Sequence, residues 1–386
     1  MAGEAKVTRV EIETFAWQAN GMTTVRVQGG QLKTAYDPDA VATQTGTAIK
    51  LVTDAGAVGE YVRGGAGAHE VAAGARLLLG RGAHEREPLY HELKNQRVYG
   101  FLDVALWDLA GKLAGLPISK LLGGYRQRLP AYASTIDGAV SGPLSDPGSY
   151  ADFAEQCRQL GYRAFKIHPF PWEEVQTHVE TVLAVAGRVG GTMDLMLDSF
   201  CHYRTFADAV RVGRACDEGR FFWYEDPYGD GGITPFSHAK LRELVRTPLL
   251  MGEKLRNLQE RMAFVLAGAT DFVRGEVGTE GITGTMKMAH AAESVGLDLE
   301  LHGSGPAQRH VMAALRNSNY YEQVWVHPVV TSTEPPVYAD GYVAGLGAVG
   351  ADGCVPVPEG PGLGVTYDWD FISRHSQGKV TVAADS

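Results

Sequence analysis

From Ala131 onward the chain repeats one pattern: a short apolar run, then a segment long enough for a helix. The runs are Ala131–Ser134, Ala164–His168, Leu195–Asp198, Phe222–Glu225, Leu249–Glu253, Phe272–Glu276 and Leu297–His302. Between them lie segments such as Tyr150 to Leu160, Glu174 to Val189 and Thr205 to Asp217. Strands alternating with helices at roughly thirty-residue intervals imply parallel βα units. Nearly every run ends in an ionisable side chain: Lys166 and His168, then Asp198, Glu225, Glu253, Glu276 and His302. In a (β/α) barrel the C-terminal strand ends converge on one mouth, where the chemistry sits. A single such residue is easily a loop residue that follows an apolar run, but a succession of them is not.

The segment before this series has another character. Val10–Phe15, Thr24–Val27 and Ala48–Val52 alternate with β-branched residues and predict an antiparallel sheet of three strands. From His69 to Leu116 the period becomes helical, ending in an amphipathic run at Leu102–Ala110 and a Gly-Leu-Pro stop at 115–117. At 386 residues the chain exceeds one comfortable core, so a large domain with a smaller one is expected.

Asp198, Glu225 and Glu253 stand 27 and 28 residues apart on consecutive predicted strand ends. Three converging carboxylates repel one another in a partly dry site unless a cation joins them. All-oxygen ligation suits Mg²⁺ far better than zinc. Lys166 and His168 are two apart on one strand and share a face. A lysine beside a cation or another base is expected to have its pKa lowered enough to act as a base. His302 ends a strand on the far side of the barrel, and Glu276, ending the preceding strand, can fix its tautomer. Bases on opposite sides of a metal-held substrate are what proton abstraction at carbon requires.

These residues carry a resemblance that covers nearly the whole chain. The run from Tyr99 to Pro117 (Tyr-Gly-Phe-Leu-Asp-Val-Ala-Leu-Trp-Asp-Leu-Ala-Gly-Lys-Leu-Ala-Gly-Leu-Pro), with Lys120–Gly124 and Tyr132–Ser134, resembles the domain junction of the mandelate racemase subgroup of the enolase superfamily. Trp223–Pro227 is similar to that family's fourth-strand signature, and Gly252-Glu253 to its fifth. The resemblance implies a modified (β/α)7β TIM-type barrel at 127–354. An α+β capping domain would be formed by residues 1–126 and completed by the tail 355–386. By position, Lys166 matches the first lysine of a Lys-x-Lys motif, Asp198, Glu225 and Glu253 the Mg²⁺ ligands, and Glu276 with His302 an Asp-His dyad. Glu322 matches a glutamate that hydrogen-bonds the substrate carboxylate and acts as an acid toward the enediolate. Three residues depart from the pattern: His168 replaces the second lysine, Glu276 the dyad aspartate, and Phe200 an asparagine near the metal. His202 is a candidate to supply the missing polar contact.

The expected step is removal of an α-proton from a carboxylate through an enediolate. Dehydration of a sugar acid to a 2-keto-3-deoxy acid is favoured, because the cap's lid region carries polar groups for a hydroxylated substrate: Gln18, Asn20, Thr23 and Thr24. A racemase, epimerase or lactone cycloisomerase is the alternative within the class, and a non-catalytic ligand-binding barrel the alternative outside it. No GxGxxG or Walker-type loop follows a strand, which ranks a nucleotide or phosphate enzyme low. A net charge of −10 argues against nucleic acid or an anionic membrane as partner. Four scattered cysteines, a polar Met1–Arg9 stretch and no long apolar run point to a reduced, cytoplasmic protein without a membrane span. Its partner is expected to be a small-molecule carboxylate substrate, and its assembly a homo-oligomer.

Overall fold

The computed structural model describes residues 5–26, 32–65, 67–170, 173–229 and 233–383. Residues 1–4 and Val27, which closed the second predicted run, lie outside the described residues. The chain opens with a long hairpin of β1 (Val7–Arg26) and β2 (Leu32–Thr53), followed by β3 (Val58–Gly64). The two runs expected to be separate strands at Val10–Phe15 and Thr24–Val27 are thus one strand, and Ala48–Val52 belongs to the second. Their pairing continues to Asn20↔Val41 and resumes at Met22↔Tyr36, so β2 bulges out at residues 37–40 opposite Gly21 of β1. Gly21 has φ +74°, and a Cβ there would lie 2.8 Å from the Tyr36 ring.

The helices α1 (Ala68–Ala75), α2 (Arg86–Leu93), α3 (Tyr99–Ala114) and α4 (Ile118–Leu121) follow. The stop is as expected, with Gly115 left-handed at φ +66° after the last turn of α3. The amphipathic reading of α3 is not what forms, because every residue from Tyr99 to Gly111 is buried. Its two aspartates are consumed internally. Asp103 accepts from Tyr99 Oη and from the Thr283 N–H and hydroxyl, and Asp108 from the Glu60 and Leu363 N–H groups.

The barrel strands are β4 (Arg128–Thr135), β5 (Ala164–Ile167), β6 (Asp194–Asp198), β7 (Trp223–Glu225), β8 (Leu249–Met251), β9 (Phe272–Gly275), β10 (Asp298–Leu301) and β11 (Tyr321–Val326). Seven helices alternate with them: α5 (Pro147–Gln159), α6 (Val175–Val189), α7 (Phe206–Gly219), α8 (Pro235–Arg242), α9 (Leu258–Leu266), α10 (Val277–Ser294) and α11 (Pro306–Ala314). Hydrogen-bonded neighbours run β10-β9-β8-β7-β6-β5-β4-β11, all parallel. The seam between β10 and β11 is joined by the Leu299 N–H donating to Asn317 O at 2.8 Å. There the Glu300 carboxylate also accepts from the Asn319 and Tyr320 N–H groups. Strand β12 (Cys354–Pro356) pairs antiparallel with β4. After α12 (Trp369–Arg374), β13 (Ser376–Ala383) returns to the first sheet in the order β13-β1-β2-β3. The architecture is therefore a (β/α)7β barrel beneath an antiparallel capping sheet. Among the described residues no helix is long and apolar enough to cross a membrane.

Candidate active site

The parallel strands deliver Asp198, Glu225 and Glu253 from the ends of β6, β7 and β8. One oxygen of each lies within 4.8 Å of the others. Glu253 follows Gly252, whose φ of +138° and 3.1 Å clearance to Arg274 Cβ leave no room for a side chain. One Glu253 oxygen is buried with no hydrogen-bond partner. Glu225 Oε1 faces Arg274 Nε at 2.8 Å but out of line for a hydrogen bond. Three hard oxygen donors, two of them poorly satisfied by protein, fit a divalent cation such as Mg²⁺. Asp198 Oδ1 accepts the Phe200 N–H at 2.9 Å. Phe200 and Cys201 are both left-handed, at φ +53° and +56°, a turn that aims this N–H at the carboxylate. The His202 ring instead lies beside His178 and Tyr203, at 6.2 and 6.3 Å between centroids.

Lys166 on β5 is fully buried, with Nζ 2.7 Å from Glu322 Oε1, 3.0 Å from Glu225 Oε2 and 3.3 Å from Asp198 Oδ2. Burial opposes its charge, but Glu225 and Glu322 outweigh that and raise its pKa well above the ordinary range. The lowered basicity expected of Lys166 is therefore reversed: its neighbours hold it as an ammonium. His168 Nδ1 is 2.6 Å from Thr135 O. A carbonyl only accepts, so Nδ1 donates to it, and Nε2, the nitrogen turned to the site, faces another acceptor, Asp198 Oδ2, at 3.1 Å.

Across the mouth, His302 Nδ1 is bonded to the Glu276 carboxylate, whose other oxygen accepts the Gly278 N–H at 2.7 Å. The longer glutamate side chain reaches the imidazole without difficulty. Burial works against a charged His302, yet Glu276, Glu253 and Glu322 raise its pKa to about 9. Burial works against an anionic Glu276 too, but His302 and Arg63 bring it down to about 2. The dyad is thus an imidazolium-carboxylate pair.

Glu322, on β11, accepts from Ser134 Oγ, the Gly303 N–H and Arg274 Nη2 at 2.9, 2.8 and 2.9 Å. Against burial, Lys166 and Arg274 hold its carboxyl far below the ordinary range. The acid role expected of Glu322 does not fit this arrangement, in which it is an anion surrounded by donors. Arg274 went unread in the sequence. It stands two before Glu276 in strand register, so the period of two placed it on the inward face. Its Nη2 also reaches Tyr132 Oη at 3.0 Å, and Nη1 reaches Leu301 O at 3.2 Å. Lys254, 2.7 Å from Glu253, and Asp226 were missed as well. Both Asp226 oxygens are buried without partners, and burial, with Glu253 and Asp198 beside it, pushes its carboxyl well up.

The polar cap residues sit in the β1/β2 ladder, not in a loop. Gln18 and Asn20 line a cavity of about 860 Å³ with Thr34, Trp325, Glu334 and Tyr338. Gln18 is bonded to Thr43 across the hairpin at 3.2 Å. Thr23 and Thr24 pair with Ala35 and Thr34 and do not line that cavity. A second opening of about 590 Å³ is bordered by Glu253 and Glu276 with Asn95, Arg97 and Asn257. The ionisable cluster lies at the barrel mouth, and neither opening contains all of it.

Comparison with known proteins agrees with this geometry. The chain is 26% identical over 324 residues to D-gluconate dehydratase of Thermoproteus tenax, covering 78% of this chain and 63% of that protein. It is 32% identical over 232 residues to D-gluconate/D-galactonate dehydratase of Picrophilus torridus, covering 56% of each. The match thus spans less than two thirds of either relative's length. The crystal structure of D-glucarate dehydratase from Agrobacterium tumefaciens, complexed with magnesium, superposes with a TM-score of 0.81 at 27% identity, covering 97% of this chain and 100% of that one. Residues 149–371 match the enolase C-terminal domain-like family, and the chain belongs to that family within the enolase superfamily.

Proposed function

We propose that the protein is an enzyme that abstracts the α-proton of a hydroxy acid and dehydrates a sugar acid to a 2-keto-3-deoxy acid. The observation that carries the reading is the placement of one carboxylate cluster between two unlike proton-transfer groups. His168 with Lys166 stands on one side, and the His302–Glu276 dyad on the other. Asp198, Glu225 and Glu253 would hold Mg²⁺, which would neutralise charge growing on the substrate carboxylate as the proton leaves. Lys166 is held as an ammonium by Glu322 and its other carboxylate neighbours, so His168 Nε2 would take the α-proton once Mg²⁺, rather than Nε2, holds Asp198 Oδ2. His302, kept charged by Glu276, gives its proton to the β-hydroxyl. The α-C–H and β-C–O bonds break, water departs, and the resulting enol becomes the ketone. Glu322, as an anion, orients Lys166 and Arg274 rather than donating a proton. A protonated His302 is set to expel a hydroxyl, which favours this direction over racemisation.

Residues 1–126 and 355–386 would form the cap and 127–354 the catalytic barrel, with a small carboxylate as the partner molecule. The test is a panel of sugar acids incubated with Mg²⁺ in deuterated water. Formation of a 2-keto acid, with α-deuterium uptake where turnover is slow, is expected. Absence of both with every acid would sink the reading.

A further inference from the structure

Asp226 stands one residue past the end of β7, directly after Glu225, and is fully buried. Among the described residues neither of its carboxylate oxygens has a donor. Its backbone is pinned on both sides: the N–H donates to Leu250 O at 3.0 Å, and the carbonyl accepts the Cys201 N–H at 2.6 Å. At φ +40° the residue is also left-handed. The fold therefore holds this carboxylate beside Glu253, Asp198 and Glu225 at a cost in both backbone conformation and lost solvation. Such a cost persists where the group has a use in another arrangement of the site.

Lys254 supplies the other half. Its ammonium lies 2.7 Å from Glu253 Oε1 and 4.4 Å from the centroid of the Phe200 ring, and its side chain is 33% exposed. Burial opposes its charge, but Glu253 and next Asp226 outweigh that and raise its pKa. One acid thus holds the ammonium, and a second, without a donor, lies within range of its field. Glu253 is also one of the three carboxylates placed to take a divalent cation, and its other oxygen has no donor. An ammonium on that carboxylate competes with such a cation, and the two like charges repel once the cation is held. The lysine has a flexible four-carbon stem on which to move, whereas Asp226 is fixed.

We propose that Lys254 is a counter-ion that the metal displaces from Glu253, and that Asp226 is the positioning residue that receives it. The inference rests on the reading of Asp198, Glu225 and Glu253 as a Mg²⁺ site. Before metal loading the ammonium shields Glu253 from its two fellow ligands. With Mg²⁺ held, Glu253 is released to the metal and Lys254 pairs with Asp226. Burial, then Glu253 and Asp198, weigh against a charge on Asp226, and neutralising those two acids removes their share of the penalty. Without Asp226 the displaced ammonium would stay beside the metal with no anion of its own.

The test is calorimetric titration of Mg²⁺ into the full-length, chelator-stripped protein with no substrate present. Asp226→Asn should weaken Mg²⁺ by roughly tenfold or more, the size of an ordinary coupling between two sites. Lys254→Met, which removes the competitor, should bind Mg²⁺ at least as tightly as wild type. The double variant decides the matter: with no lysine to receive, Asp226→Asn should cost no more than about threefold relative to Lys254→Met alone. If Asp226 acts on the cation directly, its loss weakens binding by the same factor with or without Lys254, and the proposal is overturned. It is overturned equally if Asp226→Asn leaves the affinity unchanged, or if Lys254→Met weakens it by about tenfold. Asparagine tolerates the left-handed backbone, and Asp226→Gly takes its place if thermal unfolding of the chelated variant shows that it does not fold. Failure of the metal reading has its own signature, a wild type that takes up no Mg²⁺, and the proposal falls with it.

Discussion

Replacing Arg274 by methionine tests whether the barrel centre is held by charge or by packing. The guanidinium is fully buried, with Glu225 Oε1 at 2.8 Å and Glu322 Oε2 at 2.9 Å. At an effective dielectric of about 20, each contact is worth roughly 6 kcal/mol before desolvation. The burial cost of the arginine, which the variant no longer bears, offsets much of this. Methionine has similar length, so the remaining loss comes from two carboxylates that lose a neighbouring positive charge and from Tyr132 Oη and Leu301 O, which lose the guanidinium as a donor. Lys166 still reaches both glutamates, so the net loss should fall in the range of about 3–5 kcal/mol seen when one partner of a buried pair is removed. Denaturant unfolding followed by tryptophan fluorescence measures it, at equal magnesium concentration for both proteins. Adding Glu322→Gln to Arg274→Met removes one stranded charge, so the double variant should be more stable than the sum of the single losses predicts. A loss under about 1 kcal/mol, or simple additivity, would show that the arginine is a spacer and that Glu322 is not held as an anion by it.

Chelation of divalent metal should abolish turnover, and Glu225→Gln should both weaken Mg²⁺ binding and remove most activity; full turnover in chelator refutes the metal assignment. Glu276→Gln and His302→Asn should each cost on the order of 10²–10⁴-fold in kcat, with the double variant little worse than the poorer single one, as befits a dyad. Strict additivity in that comparison would separate the two residues. Burial raises the Glu300 carboxyl from the ordinary 4.5 to about 7, although Asn319 and Tyr320 donate to it. The fold therefore binds this proton more tightly than the unfolded chain does. The associated stability, roughly 3 kcal/mol, is present below pH 4.5 and lost as pH rises to about 7. Glu300→Gln should flatten unfolding free energy over that interval, and an unchanged slope would show that Glu300 is already ionised in the fold.

The barrel was legible because its parallel strands must be short, apolar and regularly spaced, and because strand-end chemistry leaves a charge after each run. The three carboxylates, Lys166, His168 and the dyad were found by that rule alone, without any knowledge of side-chain conformation. Their protonation was not. A lysine two residues from a histidine invites a depressed pKa, but Glu225 and Glu322 arrive from strands 59 and 156 positions further on and reverse the sign. Charge state belongs to the assembled cluster, and no local window contains the cluster.

The cap was harder to read for a different reason. Its strands are antiparallel and long, so polar residues alternate with buried ones along their whole length, and Gln18, Asn20, Thr23 and Thr24 stand out no more than their neighbours. Which of them approaches the chemistry depends on where the hairpin crosses the barrel mouth. That crossing is fixed by backbone pairing of Thr34 with Asp137 and of Tyr36 with Gly138 and Val140, contacts that carry no side-chain signature. Lys33 follows from the same crossing: beside Thr34, it is the side chain that this pairing carries inward. There its ammonium pairs with Asp137 at 3.7 Å and lies over the ring of Phe200, which stands beside His168. Backbone register alone thus couples the cap to the ring beside His168, which is why no side-chain pattern in the hairpin announces the contact.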